Sequence, residues 1–302
     1  MSDETKPTFD ELADEIENFR EIAAQLKPSS GDVPQIPGID IAGFSIPFGQ
    51  VVGGDHLVWI DFNRRYDLTK RADRARRKGR EEAAAKLETM KHRAGILLVD
   101  VSGHRTTDAL IAAMLHQAFL VGVYYELDRN GEITTRLFEN INARFYRTTS
   151  VNKYFTMIYG EISEEGRFRF ISAGHHPPMI FSREYGTFVE ISADRLTSFP
   201  PVGLLPPTHD PEKPFEEPTL KSKEHYSVNE ISLLSCGDVL LLLTDGLSDH
   251  GEGAFFPGSV EKLLKENASS SAEEICARLK QAVLDHAPPT DDISAVIIRR
   301  SH

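Results

Sequence analysis

The sequence predicts an α+β fold. Strand-like segments dominate both halves of the chain. Helical patterns come in consecutive blocks rather than alternating with single strands, which argues against a doubly wound parallel sheet.

Residues 9–26 place Phe9, Leu12, Ile16, Phe19, Ala23 and Leu26 at alternating spacings of three and four, a short heptad seam with acids on the outer face. This N-terminal helix, within residues 1–30, suits either packing on its own domain or a homodimer contact. Pro28, Gly31, Pro34 and Pro37 mark its end and an extended linker over 31–38. From Ile39 the pattern turns to strands, "IDIAGFSIPF" and "QVVGGDHLVWIDF". Residues 64–92 read as mostly charged helix, broken near Gly79, and "AGILLVD" reads as a buried strand. Residues 106–126 predict a helix with Leu110, Met114, Ala118 and Val121 along one face, and "ITTRLFENINARFYRTT" predicts a second. "FTMIYGEIS", "RFRFISAG", "PMIFS" and "TFVEIS" predict an antiparallel meander, followed by a proline-rich loop. "DVLLLLTD" predicts a central strand, residues 269–286 a helix, and "ISAVIIR" the closing strand. One catalytic-sized domain, 39–302, is expected, with a basic helical insertion at 63–93.

Composition narrows the function classes. The chain has 302 residues, 40% hydrophobic and 26% charged, as in ordinary globular proteins. No purely apolar run approaches the roughly 20 residues of a bilayer-spanning helix, so no membrane partner is expected. Two cysteines, Cys236 and Cys276, form no disulfide framework or metal spacing, which favours a reduced, cytoplasmic setting with both thiols as packing residues. The net charge of −12 disfavours nucleic acid. That charge is uneven, since residues 63–93 carry twelve bases against five acids. The acidic surplus elsewhere suits divalent cations.

Four acidic spots share one local grammar, an apolar strand meeting aspartate beside small or turn residues. They are Asp55 in "VVGGDH", Asp100 in "ILLVDVSGH", Asp245 in "LLLLTDGLSD" and Asp291-Asp292 in "PPTDDISAVII". Carboxylates gathered at one sheet end repel one another, and hard divalent cations relieve that repulsion. Gly53, Gly54, Gly103 and Gly246 allow close backbone approach and turns.

Taken in order, "VVGGDH", "LLVDVSGH", "SAGHHPP", "PPVGLLP", "GDVLLLLTDGLSD" and "TDDISAVIIR" resemble the motifs of the SpoIIE/RsbU-type serine/threonine phosphatases. These form the bacterial branch of the metal-dependent, protein phosphatase 2C-like (PPM) family. The match covers about residues 39–300. It implies two packed antiparallel β-sheets flanked by helices, with two Mn²⁺ or Mg²⁺ ions at one edge. By the same carry-over, Asp100 bridges both ions beside the Val101 carbonyl, Asp55 serves one largely through water, and Asp245 and Asp291 complete the second. Asp291 matches the ligand position better than Asp292. The implied substrate is phosphoserine or phosphothreonine on a regulatory protein, in this branch often a STAS-type anti-anti-sigma factor. A water between two cations serves as nucleophile, so no Ser-His-Asp triad or active cysteine is expected.

The chain departs from the family pattern after "DVSGH", where Arg105 and Asp108 replace glycine and small residues. Arg105 is a candidate phosphate ligand, and His104 a weaker candidate acid; His175 and His176 more simply shape a turn. Asp55 and Asp100 are also separated by an insertion instead of a short hairpin. That insertion reads either as a solvated helical hairpin or as a docking arm for an acidic partner. The rival function is a catalytically silent PPM fold that binds a regulatory protein. A diguanylate cyclase reading of "GGD" fails, because His56 and Leu57 follow it.

Overall fold

Alternation along the strands decides the layers of the computed structural model, which describes residues 8–24, 32–48, 53–103, 106–148, 153–207, 226–233 and 235–301. One sheet runs β1 (Ile39–Ile46), β11 (Ile293–Arg300), β10 (Val239–Leu243), β6 (Met179–Ser182) and β7 (Thr187–Val189). The other runs β2 (His56–Asp61), β3 (Arg93–Val101), β4 (Phe155–Ser163), β5 (Arg167–Ala173) and β8 (Ser198–Phe199), with β9 (Asn229–Ser232) also paired to β5. Neighbours are antiparallel, except that the two-residue β8 runs parallel to β5.

On β3, Ile96 and Leu98 join Ile158, Phe170, Leu242 and Val296 in a core drawn from both sheets. The intervening Leu97, Val99 and Val101 pack outward beneath helices. Burial of each such side chain contributes roughly 1.5–3 kcal/mol. Both faces of β3 are covered, so a one-residue slip would exchange one apolar set for another, and the residue it would misplace is Asp100.

Helices cover both outer faces. Over β2–β3–β4 lie α2 (Phe62–Arg65), α3 (Leu68–Arg77), α4 (Glu81–Met90), α5 (Thr106–Asn130) and α6 (Thr135–Thr148). Over the other sheet lie α7 (Asp245–Ser248), α8 (Gly258–Glu266) and α9 (Ala272–His286). The Ser271–Glu274 capping box starts α9. The N-terminal helix, α1 (Phe9–Ala24), rests against α5 and leaves Phe9, Leu12, Ile16 and Ile22 exposed. The side chains of Phe19 and Ala23, and residue Leu26, lie outside what the structure describes.

The 63–93 segment breaks at Gly79, whose φ of 70° no β-carbon-bearing residue adopts easily. It is not a free arm. Leu68, Ala72, Ala75, Ala84, Leu87 and Met90 are buried against the sheet and α5. Its charges pair across the surface, as in Arg76–Glu88 at 2.9 Å and Lys86–Glu132 at 2.9 Å.

Three expectations are corrected. The strands expected as one meander divide between the sheets, because the chain crosses over at His175–Pro178, where prolines cannot continue the ladder. On α5 the buried stripe is Ala112, Leu115, Phe119, Val123 and Leu127, while Leu110, Met114 and Val121 are exposed. That helix is apolar on two faces, so periodicity alone could not choose between them. Its residues Leu110–Asn130 are long and apolar enough by composition to cross a membrane, but here one face packs in the core. Cys236 is exposed rather than packed, and only Cys276 is buried.

Candidate metal centre

The alternation that fills the inter-sheet core also builds its polar rim. Past Ile96 and Leu98 the next inward position on β3 is Asp100. Beyond Leu240 and Leu242 on β10 it is Thr244, and before Val296 on β11 it is Ser294, then Asp292. Ahead of Leu57 and Trp59 on β2 it is Asp55. Strand after strand thus ends its inward stripe in an oxygen-bearing side chain at one edge of the sandwich.

Hydrogen bonds tie the rim together. The Thr244 hydroxyl donates to Asp55 Oδ2 at 2.8 Å and accepts from the Ser294 N–H at 3.0 Å. Asp292 is occupied by backbone: its carboxylate accepts from the N–H groups of Phe48 and Gly54, both at 2.6 Å. Asp291 Oδ1 accepts from the Asp292 N–H at 2.8 Å. Of the adjacent aspartates, the first lies close enough to Asp100 and Asp245 for its charge to raise both, and the second holds the Phe48 and Gly54 N–H groups. Glycine permits this closeness. A β-carbon on Gly54 would stand 3.0 Å from the Val101 carbonyl oxygen and 2.6 Å from that of Gly103, so no side chain fits between these loops.

The electrostatics are those of a crowded acid cluster. Burial, then the charges of Asp245 and Asp291, push Asp100 up to about 8, and Asp100 and Asp245 are hydrogen-bonded to each other. Burial and then Asp100 raise Asp55 well above the usual carboxylate range, against the pull of the Thr244 and Ser294 hydrogen bonds. Asp245 is raised by burial, Asp291 and Asp249. Asp292 is raised by burial, offset in part by its backbone N–H partners. Such a set carries its full charge only beside a counter-charge.

The donors fit a hard divalent cation. They are carboxylate and carbonyl oxygens, and the carboxylates suppress one another's ionisation. Among the described residues, no three His, Cys, Asp or Glu side chains converge closely enough to cage an ion by themselves. An open, oxygen-rich rim suits Mg²⁺ or Mn²⁺, since small hard ions keep several of their waters.

The structure thus brings Asp55, Asp100, Val101, Asp245 and Asp291 to one edge. His104 and Arg105 lie outside the described residues. Asp108 is fully buried at the start of α5, where Lys153 pairs with it at 2.7 Å. Lys153 also donates to the Ser102 carbonyl at 2.8 Å, pinning the turn that follows Asp100. Sequence reasoning missed Lys153, which sits in no motif. It also missed the role of His175, which is buried and hydrogen-bonded to Thr156 Oγ1 at 2.8 Å. Asp249 could have been found, since it closes the quoted "TDGLSD".

Sheets stacked this way, with an acidic rim and two helical layers, define the PP2C class of phosphatase domain. The family described as Stage II sporulation protein E (SpoIIE) matches residues 90–301. The chain belongs to that family. It is 23% identical to the phosphoserine phosphatase RsbU of Bacillus subtilis over 308 aligned positions, covering 99% of this chain and 75% of that protein. In structure it is similar to the SiaA PP2C domain of Pseudomonas aeruginosa, with a TM-score of 0.62 at 15% identity over 96% of this chain and 97% of that one. It is also similar to RsbX crystallised with magnesium, with a TM-score of 0.54 at 14% identity, covering 89% and 98% of the two chains.

Proposed function

We propose that the chain hydrolyses phosphoserine or phosphothreonine on a regulatory protein with the help of two Mn²⁺ or Mg²⁺ ions. The observation that carries this reading is the acid cluster, in which Asp100 is raised to about 8 by burial and by Asp245 and Asp291. In this reading Asp100, with the Val101 carbonyl, would hold both ions, Asp55 would serve one of them, and Asp245 and Asp291 would hold the other.

Bound ions would lower the pKa of a shared water and neutralise phosphate oxygens. The protein's own part is to hold the oxygens in place. Thr244 and Ser294 orient Asp55, Asp292 anchors the Phe48 and Gly54 N–H groups, and Lys153 fixes the turn after Asp100. RsbU carries the name of a phosphoserine phosphatase, which supports phosphoserine as the bond cleaved. A STAS-type anti-anti-sigma factor is the proposed partner, and Arg105 a proposed phosphate contact. The exposed apolar seam of α1 supports a homodimer through that helix.

The silent, partner-binding alternative is disfavoured, because every matched aspartate is present at the rim. Release of phosphate from an aryl phosphate and from a phosphoserine peptide, with and without Mn²⁺, tests the proposal. A protein that binds Mn²⁺ yet releases no phosphate from either substrate would restore the silent reading.

A further inference from the structure

A cleft of about 510 Å³ is walled chiefly by Phe170, Met179, Phe188, Ile191, Leu196 and Phe256. It exists because the two sheets end unequally. The inward stripe of β5 changes from Phe168 and Phe170 to Ser172, while the facing edge strands β7 and β8 have only three and two residues. Too little chain remains to fill the gap between the sheets. Its wall is mostly carbon, and among the described residues Glu190 is its one charged lining residue.

A short chain of contacts leads from the rim to the cleft. Thr156 lies directly opposite Asp100 in the β3–β4 register, so both side chains point between the sheets. His175 lines the cleft and is hydrogen-bonded to Thr156. Asp100 and the His175 end of the cleft are thus two strand spacings apart, about 10 Å. An extended peptide covers that distance in about three residues.

We propose that this cleft receives a large apolar side chain of the substrate protein, about three residues from its phosphorylated serine or threonine. The inference rests on the phosphatase reading for its occupant and adds a sequence preference to it. Charge favours an apolar contact here. The described lining of the cleft offers no Lys or Arg to an anionic segment, so what the cleft itself adds to attraction is burial of carbon. A partner recognised by basic residues would meet, among the described lining residues, the acid Glu190 instead.

Fluorescence anisotropy of labelled phosphoserine peptides in Mn²⁺ tests the proposal. The peptides carry leucine, phenylalanine or serine at the third position on either side of the phosphoserine. On at least one side the apolar peptides should bind about tenfold tighter or more than the serine peptide. Ile191→Asp and Leu196→Asn should each shrink that ratio toward one, and continued binding of the serine peptide reports an intact fold. Equal affinities in the parent protein, or a ratio that neither substitution alters, overturn the proposal. Phosphate release, measured on the same samples, separates the two readings. A preference in binding without any release leaves the cleft assigned and removes the phosphatase assignment.

Discussion

At Asp100 a carboxylate meets its neighbours with too little water to screen them, and protonation is the only relief the protein itself offers. Asp100→Asn keeps the shape and removes the charge. It should abolish Mn²⁺-dependent turnover while the metal-free protein melts at the same temperature or slightly higher. Asp245→Asn and Asp291→Asn should behave alike. Asp292→Asn should differ, because its carboxylate holds the Phe48 and Gly54 N–H groups. More of the Mn²⁺ response should survive, with stability lower by roughly 1–3 kcal/mol, the cost of a buried hydrogen-bond partner lost. Calorimetry with and without Mn²⁺ separates the two behaviours. The pair Lys153–Asp108 offers a third case at this scale. Lys153→Ala removes a cationic partner of a buried carboxylate and should cost up to roughly 3 kcal/mol, read as a shift in the urea midpoint.

Helices α3 and α4 show how an element can look solvated in sequence and still be structural. Their charges alternate with alanine and leucine at helical spacing, and the small apolar face is enough to cover β2 and β3. Deleting 64–92 should therefore uncover the core and give insoluble protein rather than a trimmed enzyme. Docking is better tested on the surface. Arg77→Glu with Lys78→Glu should weaken turnover of an acidic phosphoprotein and leave aryl phosphate hydrolysis unchanged, in parallel steady-state assays. Helix α1 poses the opposite case, since Ile16 is 45% exposed and Phe9 84% exposed on an otherwise acidic helix. Replacing Ile16 with asparagine should lower the mass measured in sedimentation equilibrium if that seam pairs two copies.

For the whole molecule, stability and metal binding are one equilibrium. Saturation with Mn²⁺ at one hundred times its dissociation constant should add about 2.7 kcal/mol to the stability of the folded state, several degrees in Tm. That rise should be absent in Asp100→Asn. In metal-free protein, two groups of residues bend the pH profile in opposite senses. His56 and His175 are held down to about 3 by burial, against an ordinary 6.5. The unfolded chain then binds the extra protons, so their contribution is present above pH 6.5 and is lost as pH falls toward about 3. Asp100, raised from 3.8 to about 8, acts the other way. The folded state binds its proton more tightly, and that contribution is lost as pH rises through about 8. A melting-temperature series across pH 5–9 should fall on the alkaline side in metal-free protein, and Asp100→Asn should flatten that arm.

Much of this was legible before any coordinates. Continuous apolar runs marked β3, β10 and β11 as buried strands, and the aspartates that end them, Asp100 and Asp245, stood out in the sequence. The motif order named the aspartates of the rim. Three matters were decided only by tertiary structure. Which apolar face of α5 is buried depends on what packs there, and both faces satisfy the same local pattern. The β5–β6 crossover depends on a second sheet being available to receive the chain. The roles of Lys153, Asp292 and His175 depend on partners distant in the chain, because a hydrogen bond across 51 or 244 residues leaves no periodic trace in either segment. Sequence carries the local alternation that tells a side chain in from out; only the folded chain sets which two insides meet.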